Sequence, residues 1–409
     1  MSARIAVLIV LDALGVTTLE YLLDRSKKPT ALPNLTRLGL RTLLNPNVHS
    51  RLVLGPDPQP GAHAVRLDQA SASPDSVIGH REMCGIVDGR TYKLFPNGFD
   101  TRYIAELERR TGRETLFNQM GGGVEVIETN AAEHARTGRP IVYASKCDPL
   151  IQFAMDEAVI QINEQHRIAD LALQVAIEMG IPITRAIARA FVQTPEGEYI
   201  RTANRHDAVL ALPGPTLVDV LRHAGIHVIS VGKPSDLVNT DYDLEYHLAD
   251  PSLLDPKLDL RFVHPKQKDT NPFTIDGIVR AVRHTRTTSA RGTFIFANCV
   301  DTDSLYGHTR DIEGALRCLE EFDRVLPMIE AELATDDLLL ITADHGMEHR
   351  DDYGYHNREP VPLLACTVGN RQFPLQTGTG EGLTEVGLLV AQHFNCADTQ
   401  RDAIVHIAA

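Results

Sequence analysis

The chain carries six carboxylate and imidazole side chains that could bind metal ions together. They are Asp12, Asp303, His308, Asp344, His345 and His356. The three aspartates follow an apolar run directly or within a few residues. Such groups are costly to crowd beside apolar strands unless a cation binds them, and their oxygen and nitrogen atoms are ordinary metal ligands. The pattern therefore predicts a metalloenzyme.

Short, continuous apolar runs rich in valine and isoleucine predict strands buried on both faces of a parallel sheet. Such runs occur at residues 5–11, 227–231, 293–297 and 338–342. Helical patterns lie between them at residues 217–224 and 311–333, and Pro327 is expected to kink or interrupt the second helix. This alternation predicts an α/β fold. Because sites form beyond the carboxyl ends of parallel strands, the three aspartates are expected on one rim.

The segment from residue 100 to residue 213 has a different pattern. It combines short strand candidates at residues 125–129, 141–145 and 186–193 with helices such as residues 163–179. We interpret it as an inserted α+β domain, and residues 1–99 and 214–409 as the core domain. Turn-forming proline and glycine residues at 96–98 and 213–215 suit the two hinges.

The composition is that of a globular protein of roughly two to three domains. The 409 residues carry 54 acidic and 40 basic side chains, a net charge of -14, which argues against nucleic-acid binding. No apolar run reaches the roughly 18 residues of a membrane span, and no signal peptide is recognisable, so a cytoplasmic location without membrane partners is expected. The six cysteines form no CxxC pair, which favours neither a thiolate zinc site nor a disulfide framework.

Ser76 is the candidate nucleophile. It follows Asp75 and precedes a stretch compatible with a helix, so it is expected near a helix N-terminus, where an anion is stabilised. A simple helix cap is the alternative, and a neighbouring metal ion would favour the nucleophile because it lowers the pKa of the hydroxyl. His356 is expected in a polar loop, and its weight as a ligand depends on the other candidates.

Ordered motifs over nearly the whole chain resemble the phosphopentomutases of the alkaline phosphatase superfamily. They include DSVIGHREM at residues 75–83, FPNGF at 95–99 and TADHG at 342–346. Further matching stretches lie at residues 9–12, 137–143, 201–207, 303–311 and 320–323. The resemblance implies an alkaline-phosphatase-like core with an inserted cap domain. It also implies an isomerase that interconverts (deoxy)ribose 1-phosphate and (deoxy)ribose 5-phosphate through a phosphoserine.

The resemblance further implies two divalent metal ions, usually manganese in this family, with zinc, magnesium or iron as alternatives. One ion would be held by Asp12, Ser76, Asp344 and His345. The other would be held by Asp303, His308 and His356. Two ions roughly 3.5–4 Å apart can bind a transferring phosphoryl group between them.

The cap of this family is expected to contact a small phosphorylated sugar, and a sugar bisphosphate could act as activator. The candidates for substrate binding are Asp148, Arg189, Arg201 and Arg205 in the cap, and Lys233 in the core. Arginine suits phosphate because its fork donates two hydrogen bonds. For each arginine a surface position or a structural salt bridge is the alternative, and for Lys233 it is a solvated loop position. The oligomeric state does not follow from the sequence.

Several positions depart from the family pattern. Ser76 replaces a threonine, Arg81 replaces a tryptophan, and Ala13 replaces a serine. Pro149 belongs to a segment that is one residue longer, and Ala190 replaces a proline. These departures keep a second hypothesis open, a mutase or phosphatase of the same superfamily that acts on another phosphorylated metabolite. A third hypothesis is a catalytically silent binding protein with the same fold.

Overall fold

The computed structural model describes residues 4–53, 55, 61–246, 270–287, 291–348, 354–370, 373 and 382–408. The chain divides into two compact units, one of Met1–Arg90 with Leu212–Ala409 and one of Thr91–Ala211. The second unit thus begins before the expected residue 100, because Tyr92 and Phe95 pack with the core of that unit. Within the described part of the chain, no helix has the length and apolar character needed to cross a membrane.

The first unit is built around a seven-stranded central sheet, which confirms the predicted α/β class. Across the sheet the strands are Leu244–Tyr246, His227–Val231, Gly292–Cys299, Arg4–Leu11, Leu338–Thr342, Val361–Thr367 and His63–Leu67. The first five are parallel, and Val361–Thr367 is antiparallel to both of its neighbours. All four predicted runs are strands of this sheet. Their continuous apolar sequence reflects burial on both faces.

Helices surround the central sheet. They are Val16–Arg25, Pro33–Arg37, Leu40–Leu43, Ser76–Met83, Leu217–His223, Pro234–Val238, Asn271–Thr287, Ile312–Glu332, Thr384–His393 and Ala397–Ala403. The unit also contains a 3-10 helix, Pro46–Arg51, which is wound more tightly than an α-helix, and a π-helix, Thr302–Gly307, which is wound more widely. Three two-stranded pairs complete the unit: Thr30–Ala31 with Leu52–Val53, Ile86–Asp88 with Val405–Ile407, and Gly346–Glu348 with Tyr355–Asn357.

Of the two effects expected of Pro327, the interruption is wrong, because Ile312–Glu332 is one helix that runs through this proline. Proline has no N–H, so it leaves the main-chain carbonyl four residues earlier, that of Asp323, without its helical donor. The side-chain amide of Asn34 donates to this carbonyl at 2.8 Å. A partner from another helix therefore replaces the missing hydrogen bond.

The second unit is a five-stranded mixed sheet with three helices. Across this sheet the strands are Tyr199–Val209, Arg185–Gln193, Leu150–Asp156, Ile141–Ala144 and Leu116–Met120. The helices are Thr101–Thr111, Gly123–Thr137 and Ile162–Met179. The strand expected at residues 125–129 is wrong, since these residues lie in the second helix. The apolar residues Val126 and Ile127 are buried together with Ala131 and His134, which follow Ile127 at the helical spacings of four and seven residues.

Candidate metal centre

The carboxyl ends of three adjacent parallel strands supply the three aspartates. Asp12 comes directly after Arg4–Leu11, Asp344 comes two residues after Leu338–Thr342, and Asp303 lies in the π-helix that follows Gly292–Cys299. All three carboxylates are buried. The parallel direction of the strands thus brings residues from distant parts of the chain to one rim.

The π-helix Thr302–Gly307 shapes one side of the site. The main-chain N–H of His308 donates to the carbonyl of Asp303 at 3.2 Å, a bond that spans five residues. This wide turn brings Nε2 of His308 to 3.2 Å from Oδ1 of Asp303. Nδ1 of His308 donates to the carbonyl of Gly354 at 2.9 Å, so the ring is fixed with Nε2 facing the carboxylate.

His356 lies on a short strand rather than in the polar loop expected from the sequence. Its strand, Tyr355–Asn357, pairs with Gly346–Glu348, and His356 stands opposite Met347. Nε2 of His356 lies 3.1 Å from the same Oδ1 of Asp303 that faces His308. This pairing joins the segment that carries His356 to the residues that directly follow His345.

The second cluster surrounds Nε2 of His345. This atom lies 3.6 Å from Oδ1 of Asp12, 3.5 Å from Oδ2 of Asp344 and 3.2 Å from Oγ of Ser76. Nδ1 of His345 donates to the carbonyl of Gly346 at 3.0 Å, which leaves Nε2 for the cluster. Three oxygen atoms thus lie within 3.6 Å of one imidazole nitrogen.

Ser76 is the first residue of the helix Ser76–Met83, and Asp75 is the helix cap. Oδ1 of Asp75 accepts from the main-chain N–H of Val77 at 2.9 Å. The capping role considered for Ser76 therefore belongs to its neighbour. The hydroxyl of Ser76 is left at the N-terminus of the helix, where the helix dipole favours a negative charge.

The electrostatics of the cluster call for a cation. Burial and the charges of Asp344 and Asp303 raise the pKa of Asp12 well above its ordinary value. Burial alone would lower the pKa of His345, but the charges of Asp344, Asp12 and Asp303 outweigh it and raise this pKa to about 9. Oδ1 of Asp12 is buried and accepts no hydrogen bond from any residue that the structure describes. A bound cation would stabilise these charges, so the donor set fits a divalent metal.

Among the described residues of the first unit, two groups each offer three ligand atoms, and the atoms of each group lie within 4.8 Å of one another. The first consists of Asp12, Asp344 and His345, as expected for one ion. The second consists of Asp303, His345 and His356. The structure thus places His345 beside both groups, with its ring 3.9 Å from that of His356, whereas the sequence assigned it to one ion only.

The expected sugar contacts lie in the second unit, apart from Lys233. Arg189 and Arg205 stand opposite each other on antiparallel strands. Burial and the charge of Arg205 lower the pKa of Arg189 to about 9. Asp207 forms a bidentate ion pair with Arg205, and Gln152 accepts from Nε of Arg189 at 3.2 Å.

The other three candidates have separate surroundings. Asp148 forms an ion pair with Arg185 at 3.3 Å, a partner that the sequence did not indicate. Arg201 is an exposed residue beside Gly123 and Tyr143. Lys233 lies in the first unit at the start of the helix Pro234–Val238, and its charge acts to lower the pKa of Asp12.

Glu359 is a buried residue of the site that the sequence analysis did not single out. Its carboxylate accepts from the hydroxyls of Thr17 and Thr18 and, at 2.8 Å, from the main-chain N–H of Thr18. A Cβ atom added at Gly15 would lie 2.2 Å from Glu359, and one at Gly346 would lie 2.1 Å away. Glu359 therefore joins the Asp12 turn to the segments that follow His345 and His356. In the sequence, the one feature that could have indicated Glu359 is its position just before the apolar strand Val361–Thr367.

A family model and curated relatives match most of the length of this chain. The model of the Metalloenzyme superfamily matches residues 5–398. A phosphopentomutase of Caldanaerobacter subterraneus subsp. tengcongensis is 32% identical over 403 residues, which cover 95% of this chain and 94% of the relative. A phosphopentomutase of Pseudothermotoga lettingae is 34% identical over 363 residues, which cover 89% and 85%.

Two solved structures align with this chain at low sequence identity. The PH0037 protein of Pyrococcus horikoshii aligns with a TM-score of 0.44 and 14% identity, over 99% of this chain and 98% of the other. The alkaline phosphatase of the Antarctic bacterium TAB5 aligns with a TM-score of 0.37 and 11% identity, over 96% and 98%.

Proposed function

Because this chain belongs to the phosphopentomutase family of the metalloenzyme superfamily and is an isomerase of the phosphomutase type, we propose that it interconverts ribose or deoxyribose 1-phosphate and the corresponding 5-phosphate through phospho-Ser76. The observation that carries this proposal is the position of the Ser76 hydroxyl, at a helix N-terminus and 3.2 Å from Nε2 of His345.

The proposed reaction consists of two phosphoryl transfers. The free hydroxyl of the sugar monophosphate attacks phosphorus on phospho-Ser76, and the bond from phosphorus to the serine oxygen breaks. The attacking hydroxyl gives up its proton and the released serine oxygen takes one up, so the transfer balances. The resulting sugar bisphosphate returns its other phosphoryl group to the serine oxygen. A sugar bisphosphate could also phosphorylate the enzyme at the start and so act as activator. The helix N-terminus stabilises the negative charge on phospho-Ser76 throughout.

The buried donor set would hold two divalent ions, with Mn²⁺ as the first choice from family resemblance. Asp12, Ser76, Asp344 and His345 would hold one ion, and Asp303, His308 and His356 the other. When bound, these ions supply positive charge to the transferring phosphoryl group and to the serine oxygen. Nδ1 of His308 and of His345 each donate to a main-chain carbonyl, which orients Nε2 toward the site.

The second unit is proposed to bind the sugar phosphate and to exclude water during the transfers. Arg189 and Arg201 offer guanidinium groups to a phosphate, and Asp148 and Lys233 are the further candidates. Arg205 is a further candidate, and Asp207 holds its guanidinium in a bidentate pair. Exclusion of water matters because an exposed phosphoserine would hydrolyse.

The test is conversion of ribose 1-phosphate to ribose 5-phosphate by the purified, Mn²⁺-loaded chain, followed by phosphorus NMR. Mass spectrometry of the same sample should find phosphate on Ser76, and Ser76→Ala should abolish both signals. Absence of turnover in protein whose Ser76 is phosphorylated would refute the pentose assignment.

A different phosphorylated metabolite is the second candidate. Arg81, which replaces a family tryptophan, is buried and donates from Nε to the carbonyl of Leu237 at 3.1 Å, in the helix that follows Lys233. A buried cation at this point could alter which substrate the site accepts. Phosphate release from a panel of metabolites without isomerisation would favour this candidate, and rapid isomerisation of ribose 1-phosphate would eliminate it.

A further inference from the structure

Two buried polar side chains lie behind the aspartates and have no part in the proposed chemistry. His80 stands one helical turn after Ser76, on the same helix, and is fully buried. Asn298 lies on the strand Gly292–Cys299, opposite Val10 of the neighbouring strand, and is 1% exposed. Buried polar groups are costly unless they are hydrogen-bonded, so the partners of both side chains indicate their role.

The amide nitrogen of Asn298 has two acceptors. It lies 3.1 Å from Oδ2 of Asp12 and 2.9 Å from Nε2 of His80. A carboxylate oxygen can only accept, and an amide nitrogen carries two hydrogens, so one hydrogen serves each partner. A flipped amide would instead place its oxygen against the carboxylate. The orientation of the Asn298 side chain is therefore determined by its two neighbours.

The ring of His80 completes this arrangement. Nδ1 lies 2.8 Å from the main-chain carbonyl of Ser76 and 3.3 Å from Oδ2 of Asp344. A carbonyl only accepts, so Nδ1 carries the hydrogen and Nε2 is left to accept from Asn298. The ring also stacks on Phe296, with 5.6 Å between the centroids. These contacts fix the ring in the orientation that Asn298 requires.

We propose that Asn298 and His80 are a pair of positioning residues for the metal centre. Asn298 holds Oδ2 of Asp12 and leaves Oδ1 facing Nε2 of His345, at 3.6 Å. His80 joins the main chain of Ser76 to the same network and contacts Asp344. The pair thus sets the position of the nucleophile helix relative to two of the aspartates. This inference rests on the metal site of the proposed function and not on the identity of the sugar.

The test measures Mn²⁺ affinity of the metal-free full chain by electron paramagnetic resonance of the free ion. Asn298→Leu keeps the size of the side chain and removes both hydrogen bonds. His80→Gln keeps a donor toward the carbonyl of Ser76 and is the second variant if the first does not fold. Loss of an outer partner of a metal ligand typically weakens metal affinity about 10- to 100-fold, and we expect a change of this size in each folded variant.

His134→Gln is the matched control. His134 is equally buried, lies 2.7 Å from the carbonyl of Arg139 through Nδ1 and accepts from the N–H of Asp156 at 2.9 Å, but it belongs to the second unit. This variant should melt at a lower temperature and bind Mn²⁺ as the wild type does. Folded Asn298→Leu or His80→Gln with wild-type Mn²⁺ affinity would overturn the positioning role alone. A wild-type chain that binds no divalent cation would overturn the metal site as well.

Discussion

Gly79 offers a direct test of how closely the nucleophile helix must approach the central sheet. It lies in the helix Ser76–Met83, three residues after the proposed nucleophile. A Cβ atom at this position would lie 2.2 Å from the carbonyl oxygen of Asp344 and 2.8 Å from its carbonyl carbon. These are main-chain atoms next to a buried strand, so they cannot rotate away as a side chain could. Gly79→Ala should therefore push the helix away from Asp344.

The expected loss of activity follows from this distance. A comfortable contact between carbon and oxygen needs more than 3 Å, so the helix must shift by about 1 Å. A displacement of this size in a catalytic site can cost about 100-fold in rate, which corresponds to about 2.7 kcal/mol of transition-state stabilisation. The gain in helix propensity from glycine to alanine, about 1 kcal/mol, acts in the opposite direction on stability and leaves the geometry unchanged.

The assay is kcat/KM for ribose 1-phosphate, or for whichever phosphorylated metabolite the wild type converts. Gly277→Ala is the matched control, because Gly277 also lies inside a buried helix but its added Cβ would meet side-chain atoms instead of main-chain atoms. These are Cγ1 of Val231, at 2.7 Å, and Cβ of Tyr246, at 3.5 Å. We expect the control to keep most of its activity and Gly79→Ala to lose about 100-fold. A folded Gly79→Ala protein with kcat/KM within about threefold of wild type would contradict the reasoning, since it would show that the helix can yield without consequence.

Three further measurements test the stability of the fold and the metal centre. Glu359→Gln leaves main-chain and hydroxyl donors without a charged acceptor, so it should lower the free energy of unfolding in urea by about 3 kcal/mol. It should also show a smaller Mn²⁺-induced rise in melting temperature than the wild type. The control is Asp323→Asn, at a buried carboxylate that caps another helix, which should be destabilised but keep the full Mn²⁺ effect. Chelation by EDTA should lower the melting temperature reversibly, because an ion at a hundred times its Kd stabilises the native state by about 2.7 kcal/mol; an unchanged melting curve would speak against a metal centre. Burial and the charge of Arg4 lower the pKa of His393 to about 4. Between this value and the ordinary pKa of 6.5, the unfolded chain binds a proton that the folded chain does not. The free energy of unfolding should therefore fall by about 3 kcal/mol as the pH is lowered across that interval. His393→Gln should flatten this part of the pH profile, and an identical profile would refute the assignment.

Secondary structure was predicted correctly from the sequence where a local pattern of residues has a single physical cause. The runs at residues 5–11 and 338–342 are apolar throughout because both faces of the sheet are covered, and the structure has strands there. The helix start near Ser76 was likewise predicted from the helix-compatible stretch that follows it, although the cap is Asp75 and not Ser76. The local prediction failed at residues 125–129, because a stretch of five residues with two adjacent apolar side chains, Val126 and Ile127, is too short to distinguish a strand from a helix.

Other predictions of secondary structure were wrong where a residue distant in the sequence supplies a hydrogen bond. Proline normally ends a helix, but the amide of Asn34 donates to the carbonyl of Asp323 and so replaces the bond that Pro327 removes. The place of His356 was mistaken for a similar reason. Its segment becomes a strand only because Gly346–Glu348 is available to pair with it.

The sequence by itself determined the class of fold, the family and the set of side chains available to a metal, because each of these depends on residue types and their spacing. Only the tertiary structure decided which atoms of those side chains face one another. It placed His345 beside both groups of ligand atoms, and it supplied Asn298, His80 and Glu359 as their supports. The physical reason is that these contacts are hydrogen bonds between segments far apart in the chain. Their distances depend on how strands and helices pack, which no local pattern of residues encodes.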